Sequence, residues 1–227
     1  MLALAKFAPL MGGRRVVAGP TPTWRATGTV STNTANPHPT NLPASSAVGD
    51  TDILIIALNA AAGAGSFTTP AGWTLRGGGI QTYATVGLGN AVVGMYSRVF
   101  VAGDTAPAVT WSVGGGSLNA IASVILAYTG VVGLEADAKG TEASTTTPAY
   151  LNITTLGGNR KVLEAIASGN NTCTPGSGWT ERVDQASTYF NLSLDEKEFV
   201  TAGTIAGGTK TVSASSTTGK LACALFG

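Results

Sequence analysis

Apolar residues along the chain follow the patterns of β-strands, with glycine- and proline-rich turns between them. Residues 53–58 are apolar without interruption, as expected for a strand buried on both faces in the middle of a sandwich. Residues 93–101 place apolar side chains mostly at alternate positions, which is typical of a strand with one buried face. Beyond residue 11 the sequence contains no sustained helical apolar period. The pattern therefore predicts an all-β chain rather than an α/β or helical one.

A short motif that occurs twice relates two halves of the chain. The first copy, residues 69–76, reads Thr-Pro-Ala-Gly-Trp-Thr-Leu-Arg, and the second, residues 174–182, reads Thr-Pro-Gly-Ser-Gly-Trp-Thr-Glu-Arg. In both, the Thr-Pro ends one segment, a glycine gives a turn and the Trp-Thr begins the next segment. The motif therefore predicts structurally equivalent positions for two pairs of residues, Trp73 and Arg76 in one half, Trp179 and Arg182 in the other.

The segments around the two copies also correspond, and they do so in the same order. Each half has an apolar run before the motif, a strand ending in Ala-Gly behind it, a short alternating run and a closing apolar strand. This order predicts an internal duplication of a four-strand unit, at about residues 48–130 and 151–227. The intervening residues 131–150 are interpreted as a long connection over one end.

Duplicated four-strand units with frequent turns predict an antiparallel two-sheet β-sandwich with jelly-roll or Greek-key connections, over residues 44–227. Composition agrees, because charged residues make up only 11% of the chain, against about 25% in an average domain. Thr, Ser, Asn and Gly replace them, and these suit strands and turns. The net charge of +1 gives no electrostatic footprint for nucleic acid or an anionic membrane. No apolar run approaches the ~20 residues of a membrane-spanning helix.

Residues 1–43 differ from the rest and are predicted to form an extended N-terminal arm. Their prolines favour extended chain over a long helix, and the strongest positive charge follows the first apolar run, which argues against a secretory signal. The apolar and basic side chains of this arm have no partner within it. We therefore expect them to dock the chain onto another protein; they are Leu2, Leu4, Phe7, Leu10, Arg14, Arg15 and Trp24.

The sequence offers little that could carry catalysis or bind a metal. The single histidine, His38, lies between two prolines of the predicted arm, so we expect neither a catalytic triad nor a zinc site there. Cys173 and Cys223 do not have the spacing of a metal cluster, and a disulfide between them is an open alternative. Glu164 and Glu181 could face each other as the carboxylates of a glycosidase do, but solvated strand ends are the favoured interpretation. We therefore predict no catalytic residues, no metal and no cofactor.

The aromatic residues allow two interpretations. Trp73 and Trp179 could stack on sugars, but their repetition after the same turn favours a structural role at the ends of the sandwich. Tyr83 and Trp111 then remain as candidates for contact with a glycan, together with a long loop predicted at residues 77–90.

Over residues 47–227 the succession of motifs resembles the β-sandwich structural proteins of tailed-bacteriophage particles. The motifs are Gly49-Asp50 before an apolar strand, Thr-Pro-Ala-Gly-Trp-Thr, a Tyr-x-Arg-Val strand ending in Ala-Gly, Thr-Trp-Ser, and Ile-Leu-Ala-Tyr-Thr-Gly-Val. Proteins of this kind are tail-fibre, minor tail, head-decoration or head-fibre proteins. The resemblance does not extend to the arm and brings no catalytic residues with it.

The resemblance implies a non-enzymatic virion component, assembled in the bacterial cytoplasm and displayed on the particle surface as a homo-oligomer. Its expected partners are capsid or tail proteins, which it would contact through the arm, with no nucleic acid and no membrane insertion. The alternative is a carbohydrate-binding adhesin module that contacts host surface glycans. A hydrolase is a third hypothesis.

Overall fold

The computed structural model describes residues 19–85, 89–205 and 207–227, and all regular secondary structure within these ranges is β. The expected fold class is confirmed: the chain is an antiparallel β-sandwich of two five-stranded sheets, accompanied by four small two-stranded sheets. None of the described residues belongs to a helix long and apolar enough to cross a membrane.

The first half of the chain supplies one large sheet and two small ones. Its strands are β1 (Thr23–Thr27), β2 (His38–Pro39), β3 (Thr51–Ala60), β4 (Gly65–Phe67), β5 (Thr74–Thr85), β6 (Gly89–Val99), β7 (Ala108–Val109), β8 (Trp111–Val113) and β9 (Leu118–Thr129). The large sheet has the order β1-β9-β3-β6-β5, and the small sheets are β2-β7 and β4-β8.

The second half repeats this arrangement strand for strand. Its strands are β10 (Gly133–Thr145), β11 (Ile153–Thr155), β12 (Arg160–Ser168), β13 (Cys173–Thr174), β14 (Thr180–Ala186), β15 (Asn191–Phe199), β16 (Gly203–Ile205), β17 (Thr211–Val212) and β18 (Ser216–Phe226). The large sheet has the order β10-β18-β12-β15-β14, and the small sheets are β11-β16 and β13-β17. In the described residues each repeat therefore has nine strands, where the sequence predicted four.

The predicted arm is corrected by the structure for residues 19–43. Strand β1 is the edge of the first large sheet, where Trp24 pairs with Tyr128, and β2 pairs with β7. Arg25 Nε also lies 2.6 Å from Asp50 at the start of β3. The sequence did not reveal β1, because its short Thr- and Ala-containing segment has only one large apolar side chain. Residues 19–43 therefore belong to the sandwich.

Two further connections of the sequence analysis are strands. The predicted crossing at residues 131–150 contains β10, which pairs with β18 from Gly133 opposite Phe226 to Thr145 opposite Ser216. The loop predicted at residues 77–90 lies mostly in the hairpin of β5 and β6. Residues 77–90 are rich in Gly, and residues 131–150 are rich in Thr and charged residues. Both compositions resemble those of loops, although a strand of an antiparallel sheet needs only one apolar face.

The two large sheets pack face to face and enclose a core shared by both repeats. Ile55, Val93 and Leu126 from the first sheet meet Leu163 and Leu194 from the second, together with other fully buried apolar side chains. Burying a side chain of this size is worth roughly 1.5 to 3 kcal/mol. The shared core therefore holds the repeats together as one body.

Each large sheet also has an apolar outer face, which the small sheets of the same repeat cover. In the first repeat Leu54, Ile56 and Leu58 lie under Phe67 and Val109. In the second, Val162 and Ile166 lie under Ile205, Tyr150 and Trp179. The uninterrupted apolar run in β3 follows from this arrangement, because both of its faces are covered.

Candidate functional site

The repeated motif forms the same turn in each half. Gly72 and Gly178 adopt φ values of 77° and 75°, as the third residue of a type II turn must. The N–H of the following tryptophan closes the turn, donating to Pro70 O at 3.1 Å or to Gly176 O at 3.0 Å. Both tryptophans are buried and close the outer cores of their repeats. They are not a sugar-stacking surface.

The arginines of the motif reach from one repeat to the other. Arg76 of β5 lies with Nη1 3.7 Å from Asp137 of β10. Arg182 of β14 places its guanidinium 4.3 Å from the ring centre of Trp24 in β1. Equivalent side chains therefore contact equivalent edge strands of the opposite repeat. The packing role of Trp24 is thus within the molecule.

The contact around Arg182 is the more deeply buried of the two. Its Nη2 donates to Glu196 Oε1 at 2.7 Å, and Tyr128 of the first repeat donates its hydroxyl to Oε2 at 2.9 Å. Burial alone would raise the pKa of Glu196, but the hydrogen bond from Arg182, the charge of Lys161 and the Tyr128 hydroxyl outweigh it and lower that pKa. Ionised Glu196 of the second repeat therefore binds Tyr128 of the first repeat and links the two repeats.

Three parts of the chain meet at one end of the sandwich, which we call the terminal end. They are Gly19, where the described chain begins, residues 130–132, which link the two repeats, and Gly227. Gly19 lies against Gly227, and Asn159 Nδ2 donates to Gly19 O at 3.3 Å. Gly227 also packs against the backbone of Pro20 and Gly130, too closely for a side chain. The described chain therefore leaves towards residue 18 from the terminal end.

Exposed apolar side chains are concentrated at the terminal end. The six large ones that stand out among the described residues are Val48, Val99, Val101, Val132, Leu156 and Val200, each between 53% and 84% exposed. Backbone bonds between Gly49 and Phe100 bring the first three together, and the loop before β12 packs on the carbonyl of Val200. Val132 lies in the linker, where its N–H donates to Phe226 O at 2.7 Å. Because all six lie where β3 and β12 begin and β6, β9, β15 and β18 end, they share one end of the molecule.

A cleft of about 420 Å³ is lined by Trp73, Arg98 and residues 103–108. Arg98 lies 3.5 Å from both Asp52 and Asp104 and 4.7 Å from the centre of the Trp73 ring. Burial raises the pKa of Asp52 to about 6, against the opposing charge of Arg98. The arginine is thus engaged in holding its own loop and is not presented to a ligand.

A buried polar cluster occupies the outer core of the second repeat. Lys210 Nζ donates to Asp195 Oδ2 at 2.8 Å and to Ser193 Oγ at 2.9 Å, and Tyr150 donates its hydroxyl to the same Asp195 oxygen at 2.5 Å. Glu164 lies opposite Asp195 in the β12–β15 ladder and accepts a hydrogen bond from the backbone of Leu151. Burial raises the pKa of Glu164 to about 8, and this backbone hydrogen bond opposes the shift.

The interpretation of Glu164 as a solvated strand end is therefore wrong: its side chain is fully buried, as are those of Asp195 and Lys210. A signal was present in the sequence, since Glu164 interrupts an apolar run in a strand that is covered on both faces. Nothing in the sequence connects it with Asp195 and Lys210, which the fold brings in from β15 and the segment before β17.

The candidate ligand residues are held inside the structure. His38 is buried and contacts Asn33 O at 2.5 Å and Ser123 Oγ at 2.8 Å; burial lowers its pKa, against the effect of the backbone hydrogen bond. Cys173 and Cys223 are buried free thiols, so the disulfide alternative is wrong. The described residues contain no group of three or more His, Cys, Asp or Glu arranged to hold a metal ion.

The predicted glycan contacts and docking residues have different outcomes. Tyr83 is buried in the core between the sheets, which corrects its interpretation as a surface residue. Trp111 is half-buried, and its indole N–H donates to Ala35 O at 3.0 Å, so it packs on its own chain. The remaining docking residues lie outside the described residues; they are Leu2, Leu4, Phe7, Leu10, Arg14 and Arg15.

Comparison with known proteins found no matching family model. It likewise found no similar curated protein and no similar solved structure.

Proposed function

We propose that this protein is a non-enzymatic structural component of a bacteriophage particle, displayed on the particle surface. It docks through the terminal end, together with residues 1–18, onto another protein of the particle. The sandwich then projects its opposite end outward.

The observation that carries the proposal is the placement of the exposed apolar side chains. Exposed apolar residues scattered singly are normal, but a concentration of them marks an interaction surface. Among the described residues, the large exposed apolar side chains lie at the terminal end. The chain continues from this end towards Leu10, Phe7, Leu4 and Leu2. Surface and segment can therefore engage the same partner together.

The partner chemistry follows from these side chains. The end carries Val and Leu, the segment adds Leu and Phe, and Arg14 and Arg15 supply positive charge. A complementary surface on the particle would be apolar at its centre, with carboxylates near the two arginines. Each apolar side chain that becomes buried contributes roughly 1.5 to 3 kcal/mol, so a few offset the ordering of an extended segment.

The interior supports a structural rather than a catalytic role. Glu164 has the raised pKa expected of a general acid, but it and Asp195 are fully buried beneath Tyr150 and Trp179. A substrate could not reach them without opening the outer core. The shared core and the arginine contacts instead join the two repeats into one rigid domain, which suits a structural component of a particle.

Co-sedimentation tests the proposal. Particles assembled without this protein are mixed with the full chain, with a variant lacking residues 1–18, and with the double variant Val132→Asp/Leu156→Asp. Truncation stops at residue 18 because a deletion to residue 43 would remove β1 and β2. We expect the full chain to pellet with the particles and both variants to remain in the supernatant.

The matched control is Ala61→Asp, an exposed change of the same chemistry at the opposite end, and it should pellet like the full chain. Circular dichroism verifies that every variant is folded. Undiminished binding of both terminal-end variants would contradict the docking surface, and failure of the full chain to bind would contradict the particle role.

The adhesin alternative has less support, since Tyr83 is buried and Trp111 packs on Ala35. A glycan array with the full chain separates the two functions. Specific binding that survives the terminal-end substitutions would favour the adhesin.

A further inference from the structure

Lys210 is the most unusual side chain in the described structure, because its ammonium group is completely buried. Its Nζ contacts Asp195 Oδ2 at 2.8 Å and Ser193 Oγ at 2.9 Å. Lysines are almost never fully buried unless paired, and the pair must offset a desolvation cost of several kcal/mol per ion. A buried pair of this kind is under pressure to become neutral.

Asp195 presents its carboxyl group to this amine in a fixed orientation. The Tyr150 hydroxyl donates to Oδ2, the oxygen that also accepts from Lys210, whereas Oδ1 has no hydrogen-bond partner among the described residues. The aspartate lies on the central part of β15 and the lysine immediately before β17. The main chains therefore hold nucleophile and carboxyl carbon in lasting proximity, which can replace much of the entropy cost of a bimolecular reaction.

Glu164 supplies the third group. It is the direct antiparallel partner of Asp195, so the two side chains share a face, with Cβ atoms about 4.5 to 5.5 Å apart. Burial raises its pKa to about 8, so at neutral pH it carries a proton. Its Oε1, like Asp195 Oδ1, has no hydrogen-bond partner among the described residues. A proton donor for the carboxyl group thus lies inside the same buried cluster.

We propose that Lys210 and Asp195 condense to an intramolecular amide bond, with Glu164 as the proton carrier. This inference concerns the maturation of the fold and does not depend on the proposed function.

The reaction balances without an oxidant or a co-reactant. The ammonium of Lys210 first passes a proton along its hydrogen bond to Asp195, leaving a neutral amine and a neutral carboxylic acid. The amine nitrogen bonds to the carboxyl carbon, and Glu164 donates its proton to the departing oxygen and recovers one from the nitrogen. An ammonium and a carboxylate thereby become one amide and one water molecule, and Glu164 is regenerated.

The surroundings favour the amide over the ion pair. Tyr150 stacks on Trp179 with ring centres 3.9 Å apart, and the Trp179 indole donates to Gly207 O at 2.8 Å, so aromatic groups cover the site. Condensation removes two buried charges and expels the water that would be needed for hydrolysis. The product joins the large sheet of the second repeat covalently to the layer that covers it.

Other lysine–carboxylate pairs lack one of these features. Lys161 Nζ lies 3.1 Å from Glu196, but it also lies 3.3 Å from the exposed Glu198, and Glu196 is held ionised by Arg182. Lys220 pairs with Glu142 at 2.7 Å, and the Glu142 side chain is 31% exposed. Lys210 and Asp195 are both 0% exposed, so the reaction is expected at this pair alone among those described.

Intact-mass spectrometry of the denatured full chain tests the proposal. The folded, purified protein should be lighter than its sequence by the mass of one water molecule. Tryptic digestion should leave Lys210 uncleaved and yield a branched peptide that joins it to Asp195. A protein with the full sequence mass and a cleaved Lys210 would overturn the proposal.

Variants separate this bond from other dehydrations. Lys210→Met and Asp195→Ala should regain the full sequence mass, whereas Lys161→Met, at the matched pair, should still lose water. Glu164→Gln should remain uncondensed although both reacting groups are present, and rapid condensation in that variant would overturn the role of Glu164. Because the wild-type measurement needs no substitution, the proposal stays falsifiable even if a variant does not fold.

Discussion

The two repeats share one strand plan but place opposite chemistry at three equivalent positions of their outer cores. Leu54 pairs with Tyr96 in the first repeat, and Glu164 pairs with Asp195 at the equivalent place in the second. The position two residues before Trp111 is Val109, and the one two residues before its counterpart Val212 is Lys210. Three buried apolar or aromatic side chains thus correspond to three buried ionisable ones.

This difference shows what the strand plan requires and what it leaves free. The turns, the strand order and the core between the sheets are alike in both repeats, so they are the common requirement. The outer core needs only to be filled and internally satisfied, which either apolar packing or a closed polar network achieves. A polar network is costly when incomplete, so the second repeat should be the more sensitive to loss of a single group.

The largest effect is expected from breaking the polar cluster alone. Lys210→Met leaves Asp195 buried without its partner, and in the uncondensed protein removing one member of a buried pair costs about 3 to 5 kcal/mol. In the condensed protein the same substitution also removes the amide bond. Replacing the set together, by Glu164→Leu, Asp195→Leu and Lys210→Met, should recover most of that loss, because the site then resembles the first repeat. Denaturant unfolding measures both free energies. Equal stability of the wild type and the single variant would contradict a difference between the repeats.

In the first repeat, truncating the equivalent buried side chain creates a cavity instead of an unpaired charge. Leu54 is fully buried beneath the small sheets, so Leu54→Ala should reduce the free energy of unfolding by about 2 to 5 kcal/mol. The exposed residue Thr154 on β11 provides the control, because Thr154→Ala should change it by no more than about 0.5 kcal/mol. Similar values for the two variants would refute the assignment of the outer core.

These residues also show what could be predicted from the sequence. The turns around Trp73 and Trp179 were predictable because their chemistry is local, and β3 was predictable because both of its faces are apolar. Strands β1 and β10 were missed, since an edge strand with few apolar residues resembles a linker. The cluster of Glu164, Asp195 and Lys210 could not be assembled in advance, because the fold alone brings these distant residues together.

The repeats should differ in their response to pH. Because burial raises the pKa of Glu164 from 4.5 to about 8, the folded state binds a proton more tightly than the unfolded state between these values. Stability should therefore be greatest below pH 4.5 as far as this group is concerned, and fall as pH rises towards 8, by up to about 1.4 kcal/mol per pH unit. Unfolding of Lys210→Met and of the double variant Lys210→Met/Glu164→Gln across this range measures the contribution, since neither protein can form the amide bond.

The pKa of Asp52 in the first repeat is raised from 3.8 to about 6. As pH rises between these values, Asp52 therefore lowers the free energy of unfolding in both proteins. The difference between the two curves consequently isolates Glu164. Parallel curves above pH 6 would contradict the buried, protonated state of that residue.

The smallest effects are expected where the repeats touch through their arginines. Arg182→Ala removes the stacking on Trp24 and a hydrogen bond to buried Glu196, and should cost about 1 to 3 kcal/mol. Arg76→Ala removes a longer, partly exposed pair with Asp137 and should cost no more than about 1 kcal/mol. Thermal unfolding ranks the two, and a larger loss for Arg76→Ala would reverse the assigned roles.

The proposed function requires one orientation of the sandwich on a particle, with the terminal end buried and the opposite end displayed. A short epitope tag placed after Gly227 or inserted beside Ala61 reports on this directly. Antibody labelling of purified particles, followed by electron microscopy, should detect the tag at Ala61 on the particle surface and leave the tag at Gly227 unlabelled until the particles are disrupted. Labelling of the tag at Gly227 but not of the tag at Ala61 would contradict this orientation. Absence of both tagged proteins from purified particles would contradict the proposed function.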